Sequence, residues 1–428
     1  METMNKNISN ISCSSLAFTV NLDSPADFRD NFFSRSDNRF FSVLDDARID
    51  LLSISNFIYA ADRRIPRSSA KDGWTREINM TIYVLLLEKW KVAQKVLEEM
   101  LSFLTGDNWT IIFKKREYSE NEIKLRKMDF YMDDEGIGKN VCMFSGGLDS
   151  FIGAIDMLTS DNEFSPIFVS HYGGGSKGTK DYQQVLQTKL IEKFEKLSDC
   201  NFVSFYATAM KSLTELDEPT TRSRSFMFFS HAIALTHSGG QLIIPENGFV
   251  SLNVPLFESR NGSSSTRTTH PYYMNLFRKV LEFVGINISI VNPYQFLTKG
   301  EMVQQCLDPS FLNQNLANTM SCSHPEQARW SGFSEPIHCG YCLPCTIRRA
   351  SILSSDIQDT TPYRYKKYEN TVGRETLNAL KIAIFENQRS NPISRVQYSG
   401  PLEVGSLKRY ARVYSIGMCE IEKLINEV

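Results

Sequence analysis

The segment VCMFSGGLDSFIGAIDML, residues 141–158, combines the residue types that bind phosphate groups. An apolar run is followed by Ser-Gly-Gly and then by an aspartate and a serine that open an apolar-periodic stretch. Glycines at 146 and 147 allow a sharp turn from a strand into a helix, and such a turn exposes backbone N–H groups. These groups, the positive end of the helix dipole and the hydroxyls of Ser145 and Ser150 together form a site for phosphate or pyrophosphate.

Asp149 falls in the first turn of the predicted helix. An aspartate there caps the helix or holds a cation that accompanies phosphate, because an acidic side chain beside phosphate needs a cation to offset the repulsion. Two familiar phosphate loops do not fit this segment, which contains neither Gly-x4-Gly-Lys-Ser/Thr nor Gly-x-Gly-x-x-Gly. An ordinary tight strand-to-helix turn is the alternative interpretation.

Four of the nine cysteines lie close together in the sequence. Cys322, Cys339, Cys342 and Cys345 give the pattern C-x16-C-x2-C-x2-C. Two residues between cysteines let successive thiolates converge on one ion, and four thiolates suit a closed tetrahedral zinc site of the structural type. An iron–sulfur cluster also takes four cysteines, and at the level of sequence this alternative stays open.

Both motifs lie in a part of the chain that predicts a parallel sheet. Short apolar runs alternate with helical patterns at residues 141–144, 166–172, 201–207, 241–248 and 288–294. Strands that alternate with helices imply parallel pairing and right-handed crossovers, hence an α/β fold with a doubly wound, mainly parallel sheet. Ligands of such sheets bind at the carboxyl ends of the strands, where the glycine turn lies.

We expect three regions along the 428 residues. Residues 1–135 read as an accessory α+β domain of scaffold or interaction type, with an amphipathic helix in VLLLEKWKVAQKVLEEMLSFL. The charged segment 118–139 ends with two glycines, which is typical of a linker. Residues 136–355 contain the predicted sheet and the cysteine cluster, and residues 356–428 predict a helical extension.

The composition is that of a globular protein without membrane spans. Apolar residues make up 42% and charged residues 22%, and no window approaches eighteen consecutive apolar residues. A net charge of −2 gives no global indication of a nucleic-acid partner. Because the first thirty residues lack the basic start and apolar core of a secretory signal, we expect a cytoplasmic protein.

The hexapeptide SGGLDS resembles the signature of the PP-loop family of ATP pyrophosphatases. Combined with the four-cysteine pattern about 170 residues later, it resembles 7-cyano-7-deazaguanine synthase (QueC). LTKGEM (297–302), HCGYCLPCTIRRA and RSRSFMFFSHAIAL (222–235) are similar to segments of that family. The likeness covers roughly residues 139–355. The extensions, with NGSSSTRTTHPYY at 261–273, look more like the QueC-like proteins of bacterial anti-phage operons, particularly those of the four-gene Qat system.

This resemblance implies an adenine nucleotide alpha hydrolase-like fold and an enzyme that uses ATP with Mg²⁺. Such an enzyme adenylates a carboxylate, here of a 7-deazaguanine, for attack by ammonia or by an amine of a partner protein, and it releases AMP and pyrophosphate. Structural zinc and partner proteins from a defence operon are also implied, whereas nucleic acid is not. Two alternatives stay open: a tRNA- or base-modifying PP-loop enzyme, and a non-catalytic nucleotide-binding subunit of a defence complex.

The resemblance and the residue types together indicate which residues form the site. The residues expected to bind the nucleotide are Ser145, Gly146, Gly147, Leu148, Asp149, Ser150 and His171. Those expected to be catalytic are Asp149, Ser150, Lys299 and Arg224. Those expected to contact the substrate are Glu246, Asn247, Arg267 and His270.

Several of these residues also have plainer interpretations. Lys299 lies within a capping-box pattern, Thr298-x-x-Glu301, which by itself predicts only a helix start, and an exposed lysine is the alternative to one that reaches a phosphate. The Ser/Thr-rich loop that carries Arg260 predicts a lid that orders on substrate, with free surface charge as the alternative. For His171, packing inside its strand is the favoured alternative to a place near the adenine. Of the synthase's Gly-Arg-Asn motif only the arginine is present, as Arg224.

Overall fold

The computed structural model describes residues 7–32, 44–127, 138–160, 166–173, 177–210, 218, 220–256, 267–355 and 357–428. The strands are β1 (Ile8–Cys13), β2 (Leu16–Asn21), β3 (Phe28–Asp30), β4 (Glu77–Val84), β5 (Asn108–Lys115), β6 (Gly138–Met143), β7 (Ile167–His171), β8 (Phe202–Phe205), β9 (Ala207–Ala209), β10 (Thr236–Ile243) and β11 (Ser289–Val291). The first helices are α1 (Asp46–Arg64), α2 (Leu87–Thr105), α3 (Glu120–Arg126), α4 (Leu148–Ser160), α5 (Lys177–Lys193), α6 (Arg224–Ala234) and α7 (Gly248–Leu252). The later helices are α8 (Pro271–Val284), α9 (Lys299–Gln305), α10 (Pro309–Asn315), α11 (Leu343–Leu353), α12 (Thr371–Arg389), α13 (Pro392–Gln397) and α14 (Leu407–Glu427).

The N-terminal region is an α+β unit, as its sequence predicts. A four-stranded sheet has the order β2-β1-β4-β5, with β4 and β5 parallel and the other neighbours antiparallel. Every second residue of β4 from Ile78 to Val84 is buried, so the period of two places one face of the sheet on the core. Helix α2 ends at Gly106, which takes the left-handed conformation usual after a helix, with φ 76°.

This N-terminal unit shares a hydrophobic core with the region that follows. Helix α1 packs against α6, and α2 packs against α8. One continuous core cluster contains Ile11 and Phe57 from the N-terminal unit together with Val141, Phe226 and Phe277. Strand β3 also pairs with β9 across the two regions. The boundary predicted near residue 135 lies outside the described residues.

The segment 118–139, which reads as a linker, is helical in part. Helix α3 begins with a capping box in which Ser119 and Glu122 exchange side-chain and backbone hydrogen bonds. Glu122 also pairs with the buried Arg116 at 2.6 Å. The charged residue Glu122 therefore holds α3 against Arg116, the residue that follows β5, and a count of charges does not distinguish this arrangement from a solvated linker.

The second region is the predicted parallel sheet. Its strands lie in the order β11-β10-β6-β7-β8, and every neighbouring pair is parallel. From β6 the chain proceeds outward through β7 to β8, and it then returns to place β10 on the other side of β6. The strand order thus reverses between β6 and β10, and at such a switch point the loops that follow the two strands open into one crevice.

The C-terminal residues form the predicted helical extension. Helix α14 packs against α7, α9, α11, α12 and α13. Its apolar face joins a core cluster that includes Phe249, Cys345, Leu380 and Tyr414. Within the described residues, the helices are all too short or too polar to cross a bilayer. The extension thus packs directly on elements that surround the switch point.

Candidate active site

The Ser-Gly-Gly turn connects β6 to α4, as predicted. Gly146 has φ 81°, a left-handed conformation that glycine adopts without strain. A Cβ at this position would lie 3.0 Å from Cγ of Gln183. The Gln183 side-chain amide donates to the Ser145 carbonyl at 3.1 Å, and the Met320 amide donates to the Gly146 carbonyl at 2.8 Å. The turn is therefore fixed from α5 and from the segment that precedes the cysteine cluster.

Two backbone N–H groups of this turn have long hydrogen bonds. Gly147 donates to Ser145 Oγ at 3.3 Å, and Leu148 donates to Ser321 Oγ at 3.4 Å. The Ser150 hydroxyl lies 3.2 Å from Ser145 Oγ and donates to the Gly147 carbonyl. Because bonds of this length are weak, an anion can replace the hydroxyls as acceptor at small cost.

The Asp149 carboxylate reaches the ends of two other elements. Its Oδ1 lies 2.8 Å from Lys299 Nζ, and its Oδ2 accepts hydrogen bonds from the Asn247 backbone at 3.2 Å and side chain at 2.6 Å. Burial raises the pKa of Asp149, but the Lys299 ammonium and the Asn247 bonds outweigh this effect and hold the pKa below its ordinary value. Asp149 is therefore ionised at neutral pH and joins α4 to Asn247, which follows β10, and to Lys299, the first residue of α9.

Lys299 is buried, so the structure excludes its interpretation as an exposed lysine. The preceding Thr298 and the following Glu301 form the predicted capping box. Lys299 thus lies in the first turn of α9 with its ammonium directed at Asp149. The helix start therefore does both: Thr298 and Glu301 cap α9, and Lys299 between them places a cation at the site.

Glu246 and Asn247 follow β10 and lie beside Asp149. Burial and repulsion from the Asp149 carboxylate raise the pKa of Glu246 to about 8, although Lys299 counteracts this in part. Asn247 has two roles, since its Oδ1 accepts a hydrogen bond from Val250 N at the start of α7 and its Nδ2 donates to Asp149. The site therefore contains one ionised and one largely protonated carboxyl group.

Arg224 begins α6 and lines one cavity together with Asp149, Glu246 and Lys299. Its Nε donates to His171 Nδ1 at 3.1 Å. His171 is buried at the end of β7, where it packs against Phe205 and Phe228. Burial and the Arg224 guanidinium lower the pKa of His171, so the neutral imidazole serves as the acceptor. Within the described residues, His171 supports Arg224 and does not itself line the cavity.

A cavity of about 570 Å³ lies at the switch point of the parallel sheet. Of the residues nominated from the sequence, those that line it are Ser145, Gly147, Leu148, Asp149, Ser150, Arg224, Glu246 and Lys299. An apolar wall faces them and comprises Phe249, Val250, Val254, Leu256, Leu343, Pro344 and Ile347. The cavity thus combines a polar, charged side with an apolar side, as a nucleotide-sized ligand requires.

The structure does not bring Arg267 and His270 to this cavity. The Arg267 guanidinium lies over the Phe103 ring, and it donates to the Phe103 carbonyl at 2.9 Å. His270 is buried at the start of α8 with its Nε2 3.0 Å from Ser399 Oγ, and burial lowers its pKa to about 3. Both residues join α8 to its neighbours. Arg260 and most of the predicted lid lie outside the described residues.

The four clustered cysteines converge. Their sulfurs all lie within 4.8 Å of one another, and the Cys322–Cys342 and Cys339–Cys345 pairs are each 3.9 Å apart. A tetrahedral zinc ion with Zn–S bonds of about 2.3 Å places its sulfurs roughly 3.8 Å apart. The thiolates of an iron–sulfur cluster bind separate iron atoms and are spread further. The donor set and its spacing therefore fit one zinc ion.

Sequence reasoning missed residues that connect the cysteine cluster to the glycine turn. Ser321, directly before Cys322, accepts from the Leu148 amide, and its own amide donates to Nε2 of the buried His338 at 3.1 Å. His338 directly precedes Cys339. Adjacency to a metal ligand is the one signal in the sequence that points to these two residues. The metal loop thus forms part of the cavity.

Comparison with known proteins finds relatives for about half of the chain. No family model and no solved structure matches the chain. It is similar to the 7-cyano-7-deazaguanine synthase of Methanococcus aeolicus, with 22% identity over 245 residues that cover 53% of this chain and 99% of the relative. The synthases of Rickettsia prowazekii and Rickettsia canadensis match at 22% and 23% identity with the same coverage. Over about half of its length, the chain is therefore a distant homologue of 7-cyano-7-deazaguanine synthases.

Proposed function

We propose that the protein is an ATP-dependent, AMP-forming enzyme that adenylates a carboxylate and transfers the acyl group to nitrogen. The observation that carries this proposal is the meeting of the Ser-Gly-Gly turn, the Asp149–Lys299 pair and Arg224 in one cavity at the switch point. The similarity to 7-cyano-7-deazaguanine synthases supports a 7-deazaguanine as the carboxylate substrate.

The charged side of the cavity binds the phosphates in this proposal. The Gly147 and Leu148 amides and the hydroxyls of Ser145 and Ser150 take the β and γ phosphates. Lys299 and Arg224 supply positive charge where negative charge develops on the α phosphate and on the departing pyrophosphate. The apolar wall packs against a planar base.

The chemistry follows from this placement. A carboxylate oxygen of the substrate attacks the α phosphorus, the bond to the bridging oxygen breaks, and pyrophosphate leaves with that electron pair. A nitrogen nucleophile then attacks the acyl carbon, AMP departs, and the nitrogen loses a proton, which gives an amide. Holding both reactants in one cavity is the main contribution of the protein to the rate.

The carboxyl groups of Asp149 and Glu246 fit the Mg²⁺ that accompanies ATP. They lie close enough for Asp149 to raise the pKa of Glu246, and a divalent cation favours the ionised form of both. When bound, Mg²⁺ neutralises phosphate charge. Lys299 supplies part of this charge compensation from the protein itself.

We propose that the nitrogen nucleophile is ammonia or an amine of a partner protein and that the setting is cytoplasmic anti-phage defence. In this reading the chain is a QatC-type protein of a Qat operon, and the zinc site is structural. The large N- and C-terminal regions support a protein partner, since the similarity to the relatives covers only 53% of this chain.

Incubation with ATP and 7-carboxy-7-deazaguanine tests the proposal. Ammonia is present in one arm and co-expressed operon proteins in another, and mass spectrometry identifies both the small products and any base-modified protein. We expect AMP and pyrophosphate in equal amounts from the wild type, and neither above background from Asp149→Ala. If the two proteins release equal AMP under every combination, the enzyme proposal fails and a nucleotide-binding subunit is favoured. Modification of added tRNA instead of the small molecule favours a tRNA-modifying enzyme.

A further inference from the structure

We propose that Asp62 and Glu420, one from each terminal extension, are positioning residues that fix the two cations of the cavity, Arg224 and Lys299. Each carboxylate binds the residue that directly precedes one of these cations. The inference rests on the proposed function for the roles of Arg224 and Lys299, and it assigns the extensions a task within the active site.

Asp62 lies near the end of α1 and holds the start of α6. Its Oδ2 accepts from the Ser223 backbone at 2.9 Å and from the Ser223 hydroxyl at 2.8 Å. The Ser223 side chain does not cap its own helix, because its hydroxyl is bonded to Asp62. Ser223 is fully buried, and Arg224 is the next residue. The direction in which the Arg224 side chain leaves the backbone is thus set by a carboxylate from the N-terminal unit.

Asp62 is itself held by a buried ionic network. Arg76 donates to Asp62 Oδ1 at 2.6 Å and to Asp107 Oδ2 at 2.7 Å. Arg67 binds Asp107 through two hydrogen bonds of 2.8 and 2.9 Å. The guanidinium of Arg76 and the carboxylate of Asp62 are both fully buried. Buried charge pairs with full hydrogen bonding hold one geometry, because any displacement leaves a charge unpaired.

The chain that leads into α6 is attached to the same unit. The Glu218 amide donates to the Arg63 carbonyl at 3.0 Å, and the Glu218 side chain accepts from the Arg67 amide at 2.8 Å. Arg222 donates to the Thr105 carbonyl at 2.8 Å. The approach to Arg224 is therefore bonded to α1, to the end of α2 and to the turn after α1, all of which belong to the N-terminal unit.

Glu420 of α14 has the equivalent relation to Lys299. It accepts a hydrogen bond from the Thr298 hydroxyl, which at the same time caps α9 by accepting from Glu301 N at 3.1 Å. It also accepts from the Gly300 backbone. A Cβ on Gly300 would lie 2.4 Å from Glu420 Oε1, so the carboxylate packs directly onto the helix start. Lys299 lies between the two residues that Glu420 binds.

These contacts bear on reactivity because the placement of a charge decides its effect on a transition state. A displacement of about 1 Å lowers the rate of an enzyme by as much as about 10²-fold. The two cations begin separate helices, α6 and α9, and their positions are not fixed by a common element. Asp62 and Glu420 couple each helix start to a separate, rigidly packed extension.

Double-mutant cycles on kcat/KM for AMP formation and on the Kd of ATP test the proposal. Asp62→Asn and Glu420→Gln are made in the wild-type, Arg224→Ala and Lys299→Ala backgrounds. We expect each to lower kcat/KM about tenfold in the wild type. Asp62→Asn should then change it less than about twofold in the Arg224→Ala background and keep its full effect in the Lys299→Ala background. Glu420→Gln should show the opposite pattern.

Matched controls separate positioning from general destabilisation. Asp50→Asn removes another buried carboxylate of α1, which binds the Leu85 and Leu86 amides and Trp90, and it should lower stability without coupling to Arg224. Glu422→Gln is the control on α14, where Glu422 accepts an exposed hydrogen bond from Gln388, and it should leave kcat/KM unchanged. All assays use temperatures at which circular dichroism shows the folded state. Where Asp62→Asn does not fold, Ser223→Ala removes one of the same hydrogen bonds.

If Asp62→Asn and Glu420→Gln each lower kcat/KM by the same factor in every background, the positioning role is overturned, because the carboxylates then act only on stability. The positioning role is also overturned if the effect of Asp62→Asn on kcat/KM is reduced equally in the Arg224→Ala and Lys299→Ala backgrounds. If the wild type releases no AMP, the proposed function fails, and the cycle on the Kd of ATP still decides whether the carboxylates position the two cations.

Discussion

The ammonium of Lys299 lies 2.8 Å from the Asp149 carboxylate, and both side chains are buried. The pair joins the first turn of α4 to the first turn of α9, elements that are 150 positions apart in the sequence. It also places one fixed positive charge beside the turn that the sequence identifies as a phosphate site. A buried pair of this kind depends on both partners, because removal of one leaves an unpaired buried charge.

Lys299→Met is expected to impair both stability and nucleotide turnover. It leaves Asp149 buried without its cation, which costs about 3 kcal/mol of unfolding free energy, and it removes charge from the phosphate side, which lowers AMP formation about 100-fold. Urea unfolding and AMP release measure the two effects. The matched control is Lys193→Met, since the exposed Lys193 pairs with the partly exposed Asp308 at 2.9 Å, and surface pairs contribute less than about 1 kcal/mol. Equal effects of both variants would contradict the prediction.

Glu246 predicts a pH dependence of stability. Its pKa is raised to about 8 in the folded protein, so the folded state binds a proton that the unfolded state has released above its ordinary pKa. The stabilising contribution is complete at low pH and is lost as pH rises toward 8. Glu246→Gln lacks this dependence. Its Tm should therefore rise relative to the Tm of the wild type as the pH increases from 5 to 9.

Differential scanning calorimetry in a series of buffers measures this difference. Glu88→Gln is the control, because Glu88 is exposed and pairs only with Lys91 among the hydrogen bonds of the described residues. Its Tm should follow the wild type across the range. A constant Tm offset between Glu246→Gln and the wild type at every pH would show that Glu246 does not titrate in this interval.

The cysteine cluster predicts about one zinc per chain. Cys342→Ser should lose the metal and much of its solubility, because the folding free energy of such sites comes from metal binding. It should also weaken ATP binding, since the metal loop supplies Ser321 to the glycine turn. Elemental analysis and calorimetric titration with ATP provide the measurements. Cys200→Ser changes an exposed cysteine outside the cluster and should retain zinc. Iron with acid-labile sulfide in the wild type would rule out the zinc site.

Gly146→Ala tests the geometry of the turn. The substitution introduces strain at φ 81° and places Cβ 3.0 Å from the Gln183 side chain. Gly73→Ala provides a matched comparison, because Gly73 has φ 69° and no heavy atom within 4 Å of the added Cβ. Both variants should lose about 1 kcal/mol from backbone strain, and only Gly146→Ala should lose ATP affinity. Unaltered ATP affinity in Gly146→Ala would exclude this turn from nucleotide binding.

Local patterns in the sequence determine the features that depend on near neighbours. The apolar runs after residue 140 specify strands, Ser-Gly-Gly specifies a turn that only glycine tolerates, and Thr298-x-x-Glu301 specifies a helix start. The spacing of Cys339, Cys342 and Cys345 specifies a common ligand site. Each of these follows from backbone geometry within a few residues, and each is present in the structure.

The tertiary structure alone decides which of these features meet. Asp149 reaches Asn247 and Lys299 because β10 pairs beside β6, and no periodicity in the sequence specifies that strand order. The same long-range packing buries His270 against the neighbours of α8 instead of leaving it at the cavity. Which distant segments pack together depends on the free energy of the whole core. The sequence by itself therefore indicates a phosphate-binding turn and a metal cluster. The fold brings the two together in one cavity.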